Sequence, residues 1–553
     1  MYRTIDEREW RGRRGLVLVL VLVVVAMLSL AAYTFAELML AEHKATHIEG
    51  RQLQAVAAAE SGVELLKSLV DASHMADRST ARVDHDPGST LRGVPVLADE
   101  AQPAWFSVVC TDASREVNTE SRPQSPNGIA FGLENESGRL NLCVLADWDV
   151  RQRGAARRAL LVLPGMTLEL ADSILDWIDA DEVPREFGAE REYYAALDPP
   201  RAPRNAPPEA IDELLQVRGV TRRLLYGLDA NHNGRIDPHE QTNSSLAQPR
   251  DVGIATHPLE DDLGWERYLT LHSAESNLDR EGRPRINLNA ADLPQLYQQL
   301  RSRLGDAWAR FIVAYRQNGP CAESGKPSSH AGPLALSLPP RYQLASMFDL
   351  LDVRVRATLQ GHRTVILESP LGVRGTPLAS DLNQLLDYAS LTDEPAIVGR
   401  LNVDLAPERL LAAVPGMNAE LAEAIASRRG RVAGAVAERD RHATWLFAER
   451  LAPRESLRRL APYLTGGGDV HRAQVIGISA QPGRAARIEV VIDGTRLPAR
   501  TISWMDLRQL GIGYTLSELG LDDLTRGKAG EGGLDSPVSR ASLRLNPAAR
   551  PSS

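Results

Sequence analysis

The chain opens on an unbroken apolar run and then changes its period. Leu16 to Phe35 is twenty residues without a charge, a length that at 1.5 Å per residue matches the roughly 30 Å hydrocarbon core of a bilayer. Helix formers continue through "AELMLAEHKATHIE". The next stretch, "GRQLQAVAAAESGVELLKSLV", keeps a 3.6-residue period with apolar Leu53, Val56, Ala57, Val63, Leu65 and Leu66. This pattern predicts one helix from Leu16 to about Ser73, roughly 85 Å long, facing lipid first and a folded domain afterwards. "DRSTARVDHDPGST" (Asp77 to Thr90) reads as a polar turn region. "AWFSVVCTD" and "GIAFGLENESGRLNLCVL" read as strands, and "AQVIGISAQ", "RIEVVIDG" and "RTISWMDL" return to strand alternation after the break at Gly466 to Gly468. Helical periods fill Val150 to Tyr463 between them. The expected fold class is α+β: a long N-terminal helix on a small antiparallel sheet contributed from both sides of a large inserted all-α domain. The expected boundaries are a β region at 76–149, helical subdomains at 150–275 and 276–465, completing strands at 466–516, and a tail at 517–553. The tail's Gly, Ser, Pro and Arg content predicts disorder.

Arg3, Arg8, Arg11, Arg13 and Arg14 all precede the apolar run. By the positive-inside rule the N-terminus is cytoplasmic and the bulk lies across the membrane. A cleaved signal peptide is the rival reading, with "SLA" (Ser29 to Ala31) as the cleavage site and Ala32 as the mature start. The formal charge of -9 argues against a general affinity for nucleic acid, which needs clustered Lys and Arg. Three cysteines are too few for a disulfide framework. Cys110 and Cys143 are able to pair if their strands adjoin, which leaves Cys321 odd.

The helical middle repeats a theme. "ALLVLPGMTLELADSILDWI", "AIDELLQVRGVTRRLLYG" and "ERLLAAVPGMNAELAEAIASRR" each set two helices about a turn, with Gly165, Gly219 and Gly416 supplying the left-handed position that ends the first helix. These are helix-hairpin-helix units. The phrases "RLNLCVLAD", "RINLNAAD" and "RLNVDLAPE" are related too, each leading through an Asn cap into helices. Such hairpins in other proteins hold DNA phosphates on backbone amides. Here the basic neighbours are few, Arg218, Arg222 and Arg223, and packing between protein surfaces is the expected role.

"DANHNGRIDPHE", Asp229 to Glu240, follows the twelve-residue EF-hand calcium loop. Asp229, Asn231 and Asn233 stand at positions 1, 3 and 5, Gly234 at 6, the Arg235 carbonyl at 7, Asp237 at 9 and Glu240 at 12. The preceding helix, "TRRLLYGL", is plausible, whereas "QTNSSLAQPRD" is a poor second helix. The loop therefore reads as an isolated structural site with an affinity of roughly 10⁻⁴ to 10⁻³ M. An Asn/Gly-rich turn that imitates the motif is the alternative. A second cluster, Asp176, Asp179, Asp181, Glu182 and Glu190, crowds like charges that repel without a cation. It has no fixed ligand spacing, and a solvated acidic turn stands beside the metal reading.

Arg13-Arg14-Gly15 ahead of the apolar run, and "AAAESG" (Ala57 to Gly62) within the helix, resemble a type IV pilin-like protein. The resemblance implies that a prepilin peptidase cuts after Gly15, leaving Leu16 first and methylated. Most such proteins have Glu at the fifth mature position. This chain has Leu20, a departure that resembles the general secretion pathway protein K family, the minor pseudopilin of type II secretion systems. "DWIDADEVPREFGAEREYY" and "RNAPPEAIDELLQVRGVT" strengthen that likeness across roughly residues 130 to 515. It implies a non-catalytic cap on the pseudopilus in the inner membrane, partnered by other minor pseudopilins, with metal bound near the second acidic cluster and no nucleic acid.

No G-x-S-x-G elbow, H-E-x-x-H helix, P-loop or Rossmann glycine pattern occurs. His43 and His47, four apart on the helix, could share a metal, but they sit just outside the membrane among polar residues and a solvated helix face is the preferred reading. Two rivals to the cap remain: a membrane-anchored, competence-type DNA-binding protein, which requires salt-sensitive DNA binding, and an anchored enzyme, which requires a catalytic constellation that is not found.

Overall fold

A computed structural model describes residues 8–75, 90–97, 103–111, 129–240, 261–322, 332–361, 363–371, 378–429, 442–479 and 485–521. The first helix, α1, runs Arg8–Met75. It begins about two turns before the expected start, because nothing in the Arg-rich lead stops a helix; Gly15 alone does not. The side chains from Val17 to Gly50 are exposed. From Ala55 onward α1 is an ordinary amphipathic helix. Ala55, Ala59, Val63, Leu66 and Val70 are buried at 3–4-residue spacing against Phe106, Val108, Val475, Ile488 and Val490.

The partner of α1 is a meander of β1 (Val94–Leu97), β2 (Ala104–Cys110), β3 (Val470–Ser479), β4 (Ala485–Asp493) and β5 (Arg500–Asp506). Neighbours pair antiparallel in that order. Between β2 and β3 the chain leaves for the whole insertion and returns, as the two blocks of alternation predict. Gly62 and Gly477 let helix and sheet meet: a Cβ on Gly62 would strike Val475 and Phe106, and one on Gly477 would run into the α1 backbone at Ala55 and Ala59. The packed half of α1 is pinned near its ends, where Gln52 donates to the Ala485 carbonyl (3.3 Å) and Asp71 accepts from the Ala499 N–H (2.7 Å).

The insertion departs from an all-α expectation. Helices and helical turns dominate, yet Arg354–Thr358 and Thr364–Glu368 form a hairpin joined by Pro320–Cys321. One hydrophobic cluster runs from Leu140 to Leu464, across the boundary expected at 276. "GIAFGLENESGRLNLCVL" is three two-residue strands, with a 3₁₀ turn after the second and another after the third. Its Asn135 and Asn141 side chains cap those turns and compete with a continuous ladder.

The three related phrases share one construction. Leu140–Asn141 pairs in parallel with Leu269–Thr270, Ile286–Asn287 with Ala389–Ser390, and Leu401–Asn402 with Leu464–Thr465. Each closing strand follows a tyrosine: Tyr268, Tyr388 or Tyr463. Each Asn accepts, through its side-chain oxygen, the N–H two residues on (2.9, 2.8 and 2.8 Å for Asn141, Asn287 and Asn402). Its amide donates just beyond the closing strand, to Ser273, Asp393 and Gly467 respectively. The insertion is thus three loops of helices, each tied shut at its base.

The glycines of the hairpin turns all have left-handed φ: +64° at Gly165, +79° at Gly219 and +86° at Gly416. Leu224 of the second hairpin lies over Gly165, and Leu170 of the first lies over Gly219, so these two turns pack on each other. The first arm of the second hairpin, Ile211–Gln216, is a 3₁₀ helix. Cys110, Cys143 and Cys321 are all free thiols. The region from Ser517 is ordered as far as Leu521: Leu519 and Leu521 are buried against β2 and β3 residues. Residues 522–553 lie outside the described residues, as do most of the turn region 77–90 and the segment after Glu240.

Candidate metal centre

Asp229 to Glu240 closes on itself as the spacing requires. Gly234 has φ +77° and His232 φ +56°, the left-handed positions of a sharp turn. Asp229 accepts the N–H groups of Asn233 (3.1 Å) and Gly234 (2.7 Å). Asn231 and Asn233 both donate to the same Asp237 oxygen, at 2.8 and 3.0 Å. Glu240 reaches back across the loop with both oxygens, accepting from Ala230, Asn231 and Asp237. Asp229, Asn233 and Glu240 are buried. Burial, with the Glu240 charge adding to it, pushes the Asp229 carboxyl up to about 6 against its two N–H donors.

This donor set is all oxygen apart from two amides whose oxygens a half-turn would aim at the same point. Three carboxylates, two amides and a carbonyl gathered in one tight turn fit a hard cation such as calcium. His239 lies beside Asp237 and Glu240 at a position that the motif leaves outside the ligands.

The loop is docked, and this part was not read from the sequence. Arg487 of β4, fully buried, donates to the carbonyls of Asn231 (2.7 Å) and His232. Gln474 of β3 also donates to the His232 carbonyl, at 2.7 Å. From the C-terminal segment, Tyr514 donates to the Asn233 carbonyl (3.2 Å) and Glu518 pairs with Arg235 (2.8 Å). The available signal was the alternation in "RIEVVID": Arg487 and Glu489 occupy the strand face opposite Ile488 and Val490, and charges there call for partners. Beneath the loop, Arg472 bridges Glu136 (2.6 Å) and Glu489 (2.8 Å), and Arg139 pairs with Glu134 (2.7 Å). Burial alone would raise the Glu136 carboxyl; the Arg472 and Arg139 guanidiniums overcome it and hold Glu136 at about 2.

The second cluster is split by the fold. Asp179, Asp181 and Glu190 bring ligand oxygens within 4.8 Å of one another. Asp176, fully buried behind them, is engaged by the Arg185 side chain (2.8 Å) and backbone N–H, while Glu182 stands apart on the surface with Arg191 (3.2 Å). Glu190 is 5% exposed, and neither of its carboxylate oxygens, nor Asp179 Oδ1, has a hydrogen-bond partner. Burial, then the charges of Asp176 and Asp179, push Glu190 up to about 7. Buried carboxylate oxygens without donors, converging on two further carboxylates, fit a divalent cation.

Gly15 and Leu16 fall within α1, far along the chain from both clusters. Leu20 is exposed on the apolar half, at 64%. This is the one helix long and apolar enough to cross a membrane among the described residues.

Residues 138–229 match the family model of type II secretion system (T2SS) protein K. A type II secretion system protein K of Escherichia coli (strain K12) is 39% identical over 64 residues, which is 12% of this chain and 20% of that protein. The crystal structure of the GspK-GspI-GspJ complex from the enterotoxigenic Escherichia coli Type 2 Secretion System aligns over 83% of this chain and 98% of that chain at 12% identity. Its TM-score is 0.30, too low to carry an argument. The matched 138–229 segment starts at the first Arg-Leu-Asn tie and ends at Asp229, the first residue of the EF-hand loop, and over that segment the chain is similar to type II secretion system protein K.

Proposed function

We propose that this protein is a minor pseudopilin of a type II secretion system, a non-catalytic subunit at the tip of the pseudopilus that supports protein export. The observation that carries the reading is the division of α1. Its apolar half is exposed from Val17 onward among the described residues, while its second half is clamped onto a sheet built around a broad insertion. Such a rod is suited to exchanging lipid for neighbouring helices, an exchange driven by close helix packing rather than by removal of apolar surface from water. The partners are the helices of other minor pseudopilins, and the head's bulk hinders another subunit from stacking above it.

In this reading the prepilin peptidase cuts between Gly15 and Leu16, and the chain is a single-pass inner-membrane protein with a periplasmic head. Leu20 at the fifth mature position makes no charged contact with a neighbour's N-terminus, which suits a subunit with nothing above it. Calcium is held by Asp229, Asn231, Asn233, the Arg235 carbonyl, Asp237 and Glu240, and a second ion by Asp179, Asp181 and Glu190. Bound calcium supplies charge neutralisation that locks the loop. The chain's own Arg487, Gln474 and Tyr514 transmit that order to β3, β4 and the C-terminal segment.

The test is placement along the filament. Gold-labelled protein is expected at one end only, and a variant whose insertion is replaced by a short linker between Asn135 and Val470 is expected along the length. Label spread along filaments of the intact protein would defeat the tip assignment.

A further inference from the structure

His43 and His47 are used by neither the sheet contact nor the metal loops. One helical turn apart on α1, they bring their Nε2 atoms to 3.1 Å, with ring centroids 4.4 Å apart and planes at 88°. Both rings are exposed, and each is the other's polar contact among the described residues. A hydrogen bond between two solvated imidazoles is weak, because water serves each ring as well. A shared cation uses the same geometry better. With metal–nitrogen bonds of about 2.05 Å, nitrogens 3.1 Å apart subtend roughly 100° at a common ion. That suits cis positions on a square-planar or octahedral ion more than the wider tetrahedral angle, and imidazole pairs favour Cu²⁺ and Ni²⁺ over hard cations. Lys44 opposes such an ion and Glu42 and Glu49 favour it, all three being nearby on the same helix.

The location gives the pair a consequence. Residues 36–50 lie beyond the apolar span but before the first partly buried residue, Arg51. Among the described residues nothing buries a side chain of this stretch, and Gly50, with nothing within 4 Å of its missing side chain, weakens it further. We propose that His43 and His47 form a two-imidazole chelate for a divalent transition metal of the Cu²⁺ class, and that the chelate stiffens α1 between membrane span and head.

The full-length protein in detergent micelles, with millimolar calcium present to fill the carboxylate sites, is titrated with Cu²⁺ in a non-coordinating buffer. Electron paramagnetic resonance is expected to show two imidazole nitrogens on the first equivalent. His43→Ala and His47→Ala each remove that signature, whereas His239→Ala, beside the acidic loop, keeps it. Amide exchange over residues 40–50 slows with Cu²⁺ in the unaltered protein and not in His43→Ala. A two-nitrogen signal that survives in either helix variant, or is absent from the unaltered protein, overturns the site. Exchange rates indifferent to Cu²⁺ overturn the stiffening.

Discussion

Arg487 is a fully buried cation whose partners are two loop carbonyls and the Gln474 side chain. Replacing it with Leu keeps the packing and strands those acceptors, so Arg487→Leu is expected to lower head stability by about 3 kcal/mol in urea unfolding and to raise the calcium needed to recover it. Glu240→Gln tests the loop itself. At calcium a hundredfold above its Kd the loop gives the unaltered protein about 2.7 kcal/mol; the variant should lose that part of the calcium-dependent rise in melting temperature and keep only what the second carboxylate cluster contributes, while in chelator the two proteins differ far less. Glu136 gives a pH dependence. Its carboxyl is held at about 2 in the fold against 4.5 for the ordinary group, so the stability it contributes is complete above about pH 4.5 and is lost as pH falls toward 2. Glu136→Gln should therefore show a shallower acid unfolding curve by circular dichroism, at the cost of lower stability at pH 7. The candidate ligand residues of the loop and its tight turn were legible because the EF-hand pattern fixes their spacing. Arg487, Tyr514 and Glu518 were not, because contacts more than 250 residues apart in the chain leave no local pattern, only a charge in a strand that otherwise reads as apolar.

At the level of elements, α1 and β3 touch backbone to backbone where Gly477 meets Ala55 and Ala59. Gly477→Val is expected to push the helix off the sheet and cost at least about 2 kcal/mol, seen as a lower denaturation midpoint of the head. The Asn ties make a graded prediction. Asn141 and Asn402 are buried and Asn287 is half-buried, so Asn141→Ala and Asn402→Ala should each cost about 1–2 kcal/mol and Asn287→Ala less. Equal losses at all three would mean that the ties do not depend on burial. The α1 periodicity and the strand alternations were readable, since period 3.6 and period 2 are imposed by one-sided burial. The two-residue parallel strands are too short to have a period. Of the three ties only the Arg-x-Asn half stood out, and the closing Tyr-x-Ser/Thr half needed the fold to reveal it. The hairpin of Arg354–Thr358 and Thr364–Glu368 was missed amid helical sequence for the same reason of length.

Across the whole molecule, a bare apolar rod is continuous with an amphipathic rod, and the head it carries is tied into one body by a docked loop and a polar junction between sheet and insertion. Continuity of α1 from Leu16 to about Ser73 was anticipated by the absence of any breaker strong enough to end a helix; its extension back to Arg8 was not. The unity of the insertion was not, because a core that spans Leu140 to Leu464 is assembled from side chains no sequence window contains together. Everything assigned to the rod depends on its remaining in the finished protein. The most direct test is the intact mass and N-terminal sequence of the chain purified from membranes of a cell that also expresses a prepilin peptidase. The account predicts a start at Leu16 with an added methyl group and the whole of the apolar half retained. A start at Ala32, which discards that half as a cleaved signal, would contradict it.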